Sequence, residues 1–62
     1  MKATLTIQMD TAAFGDAPEL ELAEILLKLQ RKVRVMPLYS GLTEKLIDTH
    51  GNTVGSLTIE EG

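Results

Sequence analysis

Asp48-Thr49-His50-Gly51-Asn52 has the composition and spacing of a tight chain reversal. Aspartate suits the first position of a type I turn. A glycine three places on supplies the left-handed residue that restarts the second strand after a bulge. Apolar residues flank the turn on both sides, Leu42 and Leu46 before it and Val54, Leu57 and Ile59 after it. Residues 42–59 therefore read as a β-hairpin. Pairing Asp48 with Asn52 sets Leu46 against Val54 and Leu42 against Thr58, with Ile47 on the outer face. Leu57 and Ile59 then have the wrong parity relative to Val54. A bulge near Gly55-Ser56 restores them to the inner face, and glycine is the residue expected at such a place.

Upstream, residues 3–10 alternate strictly. Ala3, Leu5, Ile7 and Met9 point one way and Thr4, Thr6, Gln8 and Asp10 the other, which is a half-buried strand with a threonine-rich solvent face. Residues 11–17 connect, with Phe14 as a plug for the end of the core. The helix reads from 17 to 34. Asp16 followed three residues later by Glu19 fits a capping box, and Pro18 suits a first turn; Ala17 as cap with Pro18 at the first helical position is the alternative. Pro37 ends the helix by pushing Met36 out of helical angles. At 100° per residue, Leu22, Ile25, Leu26, Leu29 and Val33 form one stripe facing the sheet. Burying five such side chains contributes on the order of 10 kcal/mol before chain entropy is subtracted.

The expected architecture is α+β in the order β-α-β-β: one amphipathic helix on a three-stranded antiparallel sheet, in a single domain over residues 1–62. The first strand is expected to pair antiparallel with the last, giving spatial order 1-3-2. A parallel pairing with residues 42–48 through a right-handed crossover is the alternative. A chain of 62 residues buries only about 60% of the surface its unfolded form exposes, so its core is small. It has no cysteine, which removes disulfides and thiolate metal sites together and fits a reducing compartment.

Composition also bounds function. Hydrophobic residues make up 44% of the chain but aromatics only 3%, leaving no stacking platform for single-stranded nucleic acid. A net charge of −3 disfavours general affinity for a phosphate backbone. No apolar run is long enough to span a bilayer, and Met1 to Thr6 alternates instead of opening a signal-peptide core; the expected location is the cytoplasm of the cell that makes the protein. The only histidine, His50, sits at the tip of a turn. Asp48 and His50 could begin a dyad or a metal site, but no further histidine or cysteine exists to complete a ligand set. Asp48 at the start of a turn has a sufficient structural purpose. Carboxylate pairs such as Glu19/Glu21 and Glu60/Glu61 lie on open segments, where nothing tunes one of them for acid–base work. No phosphate-binding glycine loop is present. The expectation is a protein that is not an enzyme and takes no metal or cofactor.

Two surfaces are left over. Leu20 and Leu27, with Ala23 beside them, lie nearly opposite the core stripe and seven residues apart, a strip that a symmetry-related helix could meet. They are the candidate interface, most simply of a homodimer. Lys28, Arg31, Lys32 and Arg34 crowd the second half of the helix, with Glu19, Glu21 and Glu24 in the first. That order complements the helix dipole, helped by the Glu24–Lys28 pair. The functional alternative is a basic patch for a nucleic-acid-associated regulator.

Met9-Asp10-Thr11-Ala12-Ala13-Phe14, Pro18-Glu19-Leu20-Glu21-Leu22-Ala23-Glu24-Ile25-Leu26 and Asp48-Thr49-His50-Gly51-Asn52-Thr53-Val54-Gly55 together make the chain resemble small uncharacterised proteins encoded in bacteriophage and prophage genomes. That resemblance implies an accessory role in the host cytoplasm and carries no catalytic residue. A protein partner, such as a host or defence protein, is the expectation; a structural component of a phage particle is the alternative.

If Gly51 holds a left-handed conformation, Gly51→Val is expected to destabilise the domain by about 1 kcal/mol or more. Urea denaturation of the two proteins side by side checks this, and unchanged stability would remove the turn and the register built on it.

Overall fold

In the computed structural model, which describes residues 1–62, the turn closes as its residues dictate. Gly51 adopts a φ of 88°. Its N–H donates to the Asp48 carbonyl at 3.1 Å, and the Asp48 N–H donates to the Asn52 carbonyl at 2.9 Å. The flanking strands are β2 (Thr43–Ile47) and β3 (Thr53–Glu60).

The bulge is present, nearer the turn than expected. Ile47 faces Thr53 but Leu46 faces Gly55, which leaves Val54 as the extra residue. Leu46 therefore does not oppose Val54. Nor does Leu42 oppose Thr58; its carbonyl accepts the Ile59 N–H instead. The neighbouring strand explains the position, because a Cβ at residue 55 would overlap the backbone carbonyl of Thr6. Glycine must stand where β1 approaches most closely, so the extra residue precedes it. With that shift Val54, Leu57 and Ile59 are all buried.

β1 (Lys2–Ile7) pairs antiparallel with β3, placing Ala3 against Ile59, Leu5 against Leu57 and Ile7 against Gly55. The strand order is β1-β3-β2. β1 stops three residues short of the expected end. Gln8 still donates to the Val54 carbonyl, but only Thr53 of β3 lies beyond that pair, so Met9 and Asp10 have no strand to join.

α1 spans Pro18–Val33 with Ala17 as its N-cap, and no side chain caps it. The capping box from Asp16 does not form. Pro18 is the reason: it excludes helical angles at the residue before it, so Ala17 is non-helical (φ −138°, ψ 79°) and the cap falls there. The helix face is also turned from the expected stripe. Ile25 and Leu29 are buried and Leu22 and Val33 half-buried, whereas Leu26 is 39% exposed and Glu21 is buried in its place. Glu21 is drawn in by the hairpin turn, its carboxylate accepting the N–H and hydroxyl of Thr49, both at 2.8 Å. The core is completed by Phe14, in a short 3-10 turn over Ala12–Phe14, and by Leu46 and the β3 residues.

The helix lies alongside β2 and runs against it, for Glu21 reaches Thr49 beyond one end of the strand and Lys32 pairs with Glu44 near the other. Both stretches cover about 16 Å, at 1.5 Å per residue of helix and about 3.3 Å per residue of strand. Two separate contacts therefore hold the helix in register.

Gly55→Ala is expected to lower stability by about 1–3 kcal/mol or more, because backbone and not a flexible side chain must move. Chemical denaturation measures it. A neutral substitution would show that β1 does not pass as close to residue 55 as described.

Candidate functional site

The densest polar cluster is at the hairpin turn. The buried Asp48 carboxylate accepts the Thr11 hydroxyl at 2.7 Å, the backbone N–H groups of His50 and Asn52 at 2.9 and 2.8 Å, and the Asn52 side-chain amide at 3.2 Å. Burial alone would raise its pKa. The hydrogen bonds from Thr11, from the backbone and side chain of Asn52 and from the His50 N–H outweigh burial and bring it from an ordinary 3.8 to about 2. An ionised carboxylate with its lone pairs engaged is a structural tie, not a poised base. His50 meets Asp48 through its backbone N–H, and its side chain is exposed. No group of three or more histidine, aspartate or glutamate side chains converges as metal ligands.

A groove of about 310 Å³ runs between α1 and β2. Ile25, Leu29 and Leu46, all buried core residues, give it apolar walls. Lys28 and Lys32 stand on the helix side and Glu44 and Lys45 on the strand side, with Ile47 at one end. Lys32 donates to Glu44, so that carboxylate is neutralised. Lys28 and Lys45 have no ion-pair partner.

β2 is an outer strand, and the free edge of its backbone can be assigned. Ile59 donates to Leu42 and Asp48 to Asn52, so the even-numbered residues bond toward β3. The alternation of an antiparallel ladder then leaves the N–H and C=O of Thr43, Lys45 and Ile47 pointing away from the sheet, beside the groove. At the other edge Gln8 donates to Val54. By the same alternation Ala3, Leu5 and Ile7 present their backbone groups outward from β1.

The β1 side of the core is open. Since Lys28 and Lys32 mark the flank of α1 toward β2, Leu22, Leu26 and Val33 lie on the flank toward β1. Leu5 below is 44% exposed and Leu26 above is 39% exposed. Leu20 and Leu27, 66% and 41% exposed, and the exposed Ala23 continue this apolar surface around the outer side of the helix. The candidate strip thus lies next to an opening in the core, which the sequence did not reveal.

The four basic residues of the helix are divided. Lys28 and Lys32 border the groove, while Arg31 and Arg34 point elsewhere around the helix at 100° per residue. Sequence reasoning missed Glu44 and Lys45 as groove residues. The available signal was the four-residue spacing of Lys28 and Lys32, with an edge strand whose polar residues carried both signs. No helix is long and apolar enough to cross a membrane. In comparisons with protein-family models, curated proteins and solved structures, nothing matches this chain.

The Asp48 tie has a pH signature. Its folded pKa lies below the unfolded value, so its stabilisation is complete above 3.8 and is lost as pH falls through about 2. Asp48→Asn is expected to melt at lower temperature at neutral pH and to show a flatter decline on acidification. Melting curves of both proteins across that range decide it, and parallel profiles would contradict the role given to the carboxylate.

Proposed function

We propose that this chain is a non-enzymatic accessory protein that binds another protein through the open side of its core, between β1 and α1. The observation carrying this is the paired exposure of Leu5 on the sheet and Leu26 on the helix, where two elements that should close a core stand apart. Exposed apolar surface of this kind marks protein contact sites. Covering the two-fifths of each leucine still exposed contributes about 0.6–1.3 kcal/mol, a useful addition for a domain this small. The resemblance to phage-encoded proteins supplies a setting: modulation of a host or defence protein.

A second copy is the simplest occupant. The outward backbone of β1 runs through the uncharged stretch from Ala3 to Ile7, so an antiparallel copy centred on Leu5 pairs without charge conflict. Both helices would then lie on one face of a continuous sheet, with Leu26 of each on the flank toward the seam and Ala23 next to it on the outer side.

Sedimentation equilibrium at micromolar to millimolar concentration tests this. The unmodified protein is expected to dimerise with a concentration-dependent Tm, and Leu26→Glu and Leu5→Thr to shift it to monomer. If only monomer is found, affinity capture from host lysate asks for a foreign partner. Monomer, together with captured proteins that both variants retain equally, would end the proposal.

A further inference from the structure

We propose that the groove between α1 and β2 is a second binding site, separate from the open β1 side, and that it takes an extended peptide of pattern apolar-x-acidic added to the free edge of β2.

The backbone supplies the first reason. Thr43, Lys45 and Ile47 offer unpaired N–H and C=O groups along the groove, and an added strand is the ligand class that satisfies such a row. The pleat supplies the second. Peptide residues opposite Leu46 and Glu44 point their side chains to the helix face and so into the groove, about 7 Å apart; the residue between them falls on the outer face beside Lys45. Toward the turn the walls are Ile25 and Leu46, which suit an apolar side chain. Toward Thr43 stands Lys32, with Lys28 one helical turn before it, and the pair suits a carboxylate. An antiparallel peptide therefore reads apolar residue first and acidic residue two places later.

Charge supplies the third reason. The chain carries a net charge of −3, yet this groove gathers three lysines against one glutamate. Lys32 already neutralises Glu44, so an incoming carboxylate on the helix face meets Lys28, which has no ion-pair partner, while Lys45 adds positive charge at the same edge on the outer face. An anionic lipid would satisfy the lysines but leave the edge N–H groups unpaired, and a second copy would appear as a change in mass.

The test is a titration of the ¹⁵N-labelled full chain with the blocked peptide Ser-Thr-Ile-Thr-Glu-Thr-Ser, followed by amide shifts and hydrogen exchange. Shifts are expected along Thr43 to Ile47 and at Lys28, with slowed exchange at the Lys45 and Ile47 amides and a complex containing one protein chain. Replacing the peptide glutamate by lysine, or Lys28→Glu in the protein, is expected to weaken binding about tenfold. Lys45→Pro removes one edge N–H without touching the β3 ladder and is expected to weaken binding similarly. The proposal is overturned by no shift at millimolar peptide, by affinity indifferent to either charge reversal, by lysine shifts without protection of the edge amides, or by shifts at Ala3, Leu5 and Ile7 instead. Leu26→Glu should leave this titration unchanged, so the two sites stand or fall separately.

Discussion

The Asp48 carboxylate is the interaction on which the rest of the structure depends. It closes the hairpin turn through two backbone N–H groups and fastens the connection after β1 through Thr11. One residue further on, Thr49 holds Glu21 of the helix. A turn of a few residues therefore joins every part of the chain near one end of the molecule. In a protein with seven buried apolar side chains, hydrophobic burial alone leaves elements free to slide, because aliphatic contacts are non-directional. Charge-assisted hydrogen bonds to fixed backbone positions are directional and set the geometry that the apolar contacts then fill.

The same tie accounts for the open side. Drawing Glu21 into the turn rotates α1 so that Ile25 and Leu29, and not Leu26, face the sheet. At the far end Lys32 holds Glu44 and keeps the helix over β2. A helix pinned at both ends beside one edge strand cannot also cover the opposite edge, and Leu5 and Leu26 are left half in solvent. The exposed apolar surface is thus a consequence of how the helix is anchored.

Each edge of the sheet consequently has its own character. Along β1 the outward backbone is accompanied by aliphatic and threonine side chains, which suit a large dry contact. Along β2 it borders an apolar channel with lysines at its rim, which suits a narrow charged ligand. One small domain can present both because its central strand, β3, already pairs on both sides and leaves a free backbone edge on each outer strand.

Much of this was legible in the chain. The turn residues Asp48 and Gly51, the alternation of Ala3 to Ile7 and the aliphatic helix determine the α+β class and the need for a bulge before Leu57, because turn chemistry and hydrophobic period are local properties; of the two strand pairings the sequence allowed, the tertiary structure selects the antiparallel order β1-β3-β2. The position of that bulge was decided in three dimensions, by the approach of the Thr6 carbonyl to Gly55. The helix start followed Pro18 and overrode the Asp16 box, a local competition between two readable signals. The proposed binding surfaces lay beyond local reading. Leu26 belongs to the core stripe by its period and is left in solvent by a helix that Thr49 holds at Glu21, a contact 28 residues away in sequence, and Glu44 holds at Lys32. Lys28, Lys32, Glu44 and Lys45 read as ordinary surface charges until packing sets the helix beside the strand. Sequence determined the elements and their faces, since those depend on near neighbours; tertiary structure alone decided which faces were covered, since that depends on where distant groups hold the helix.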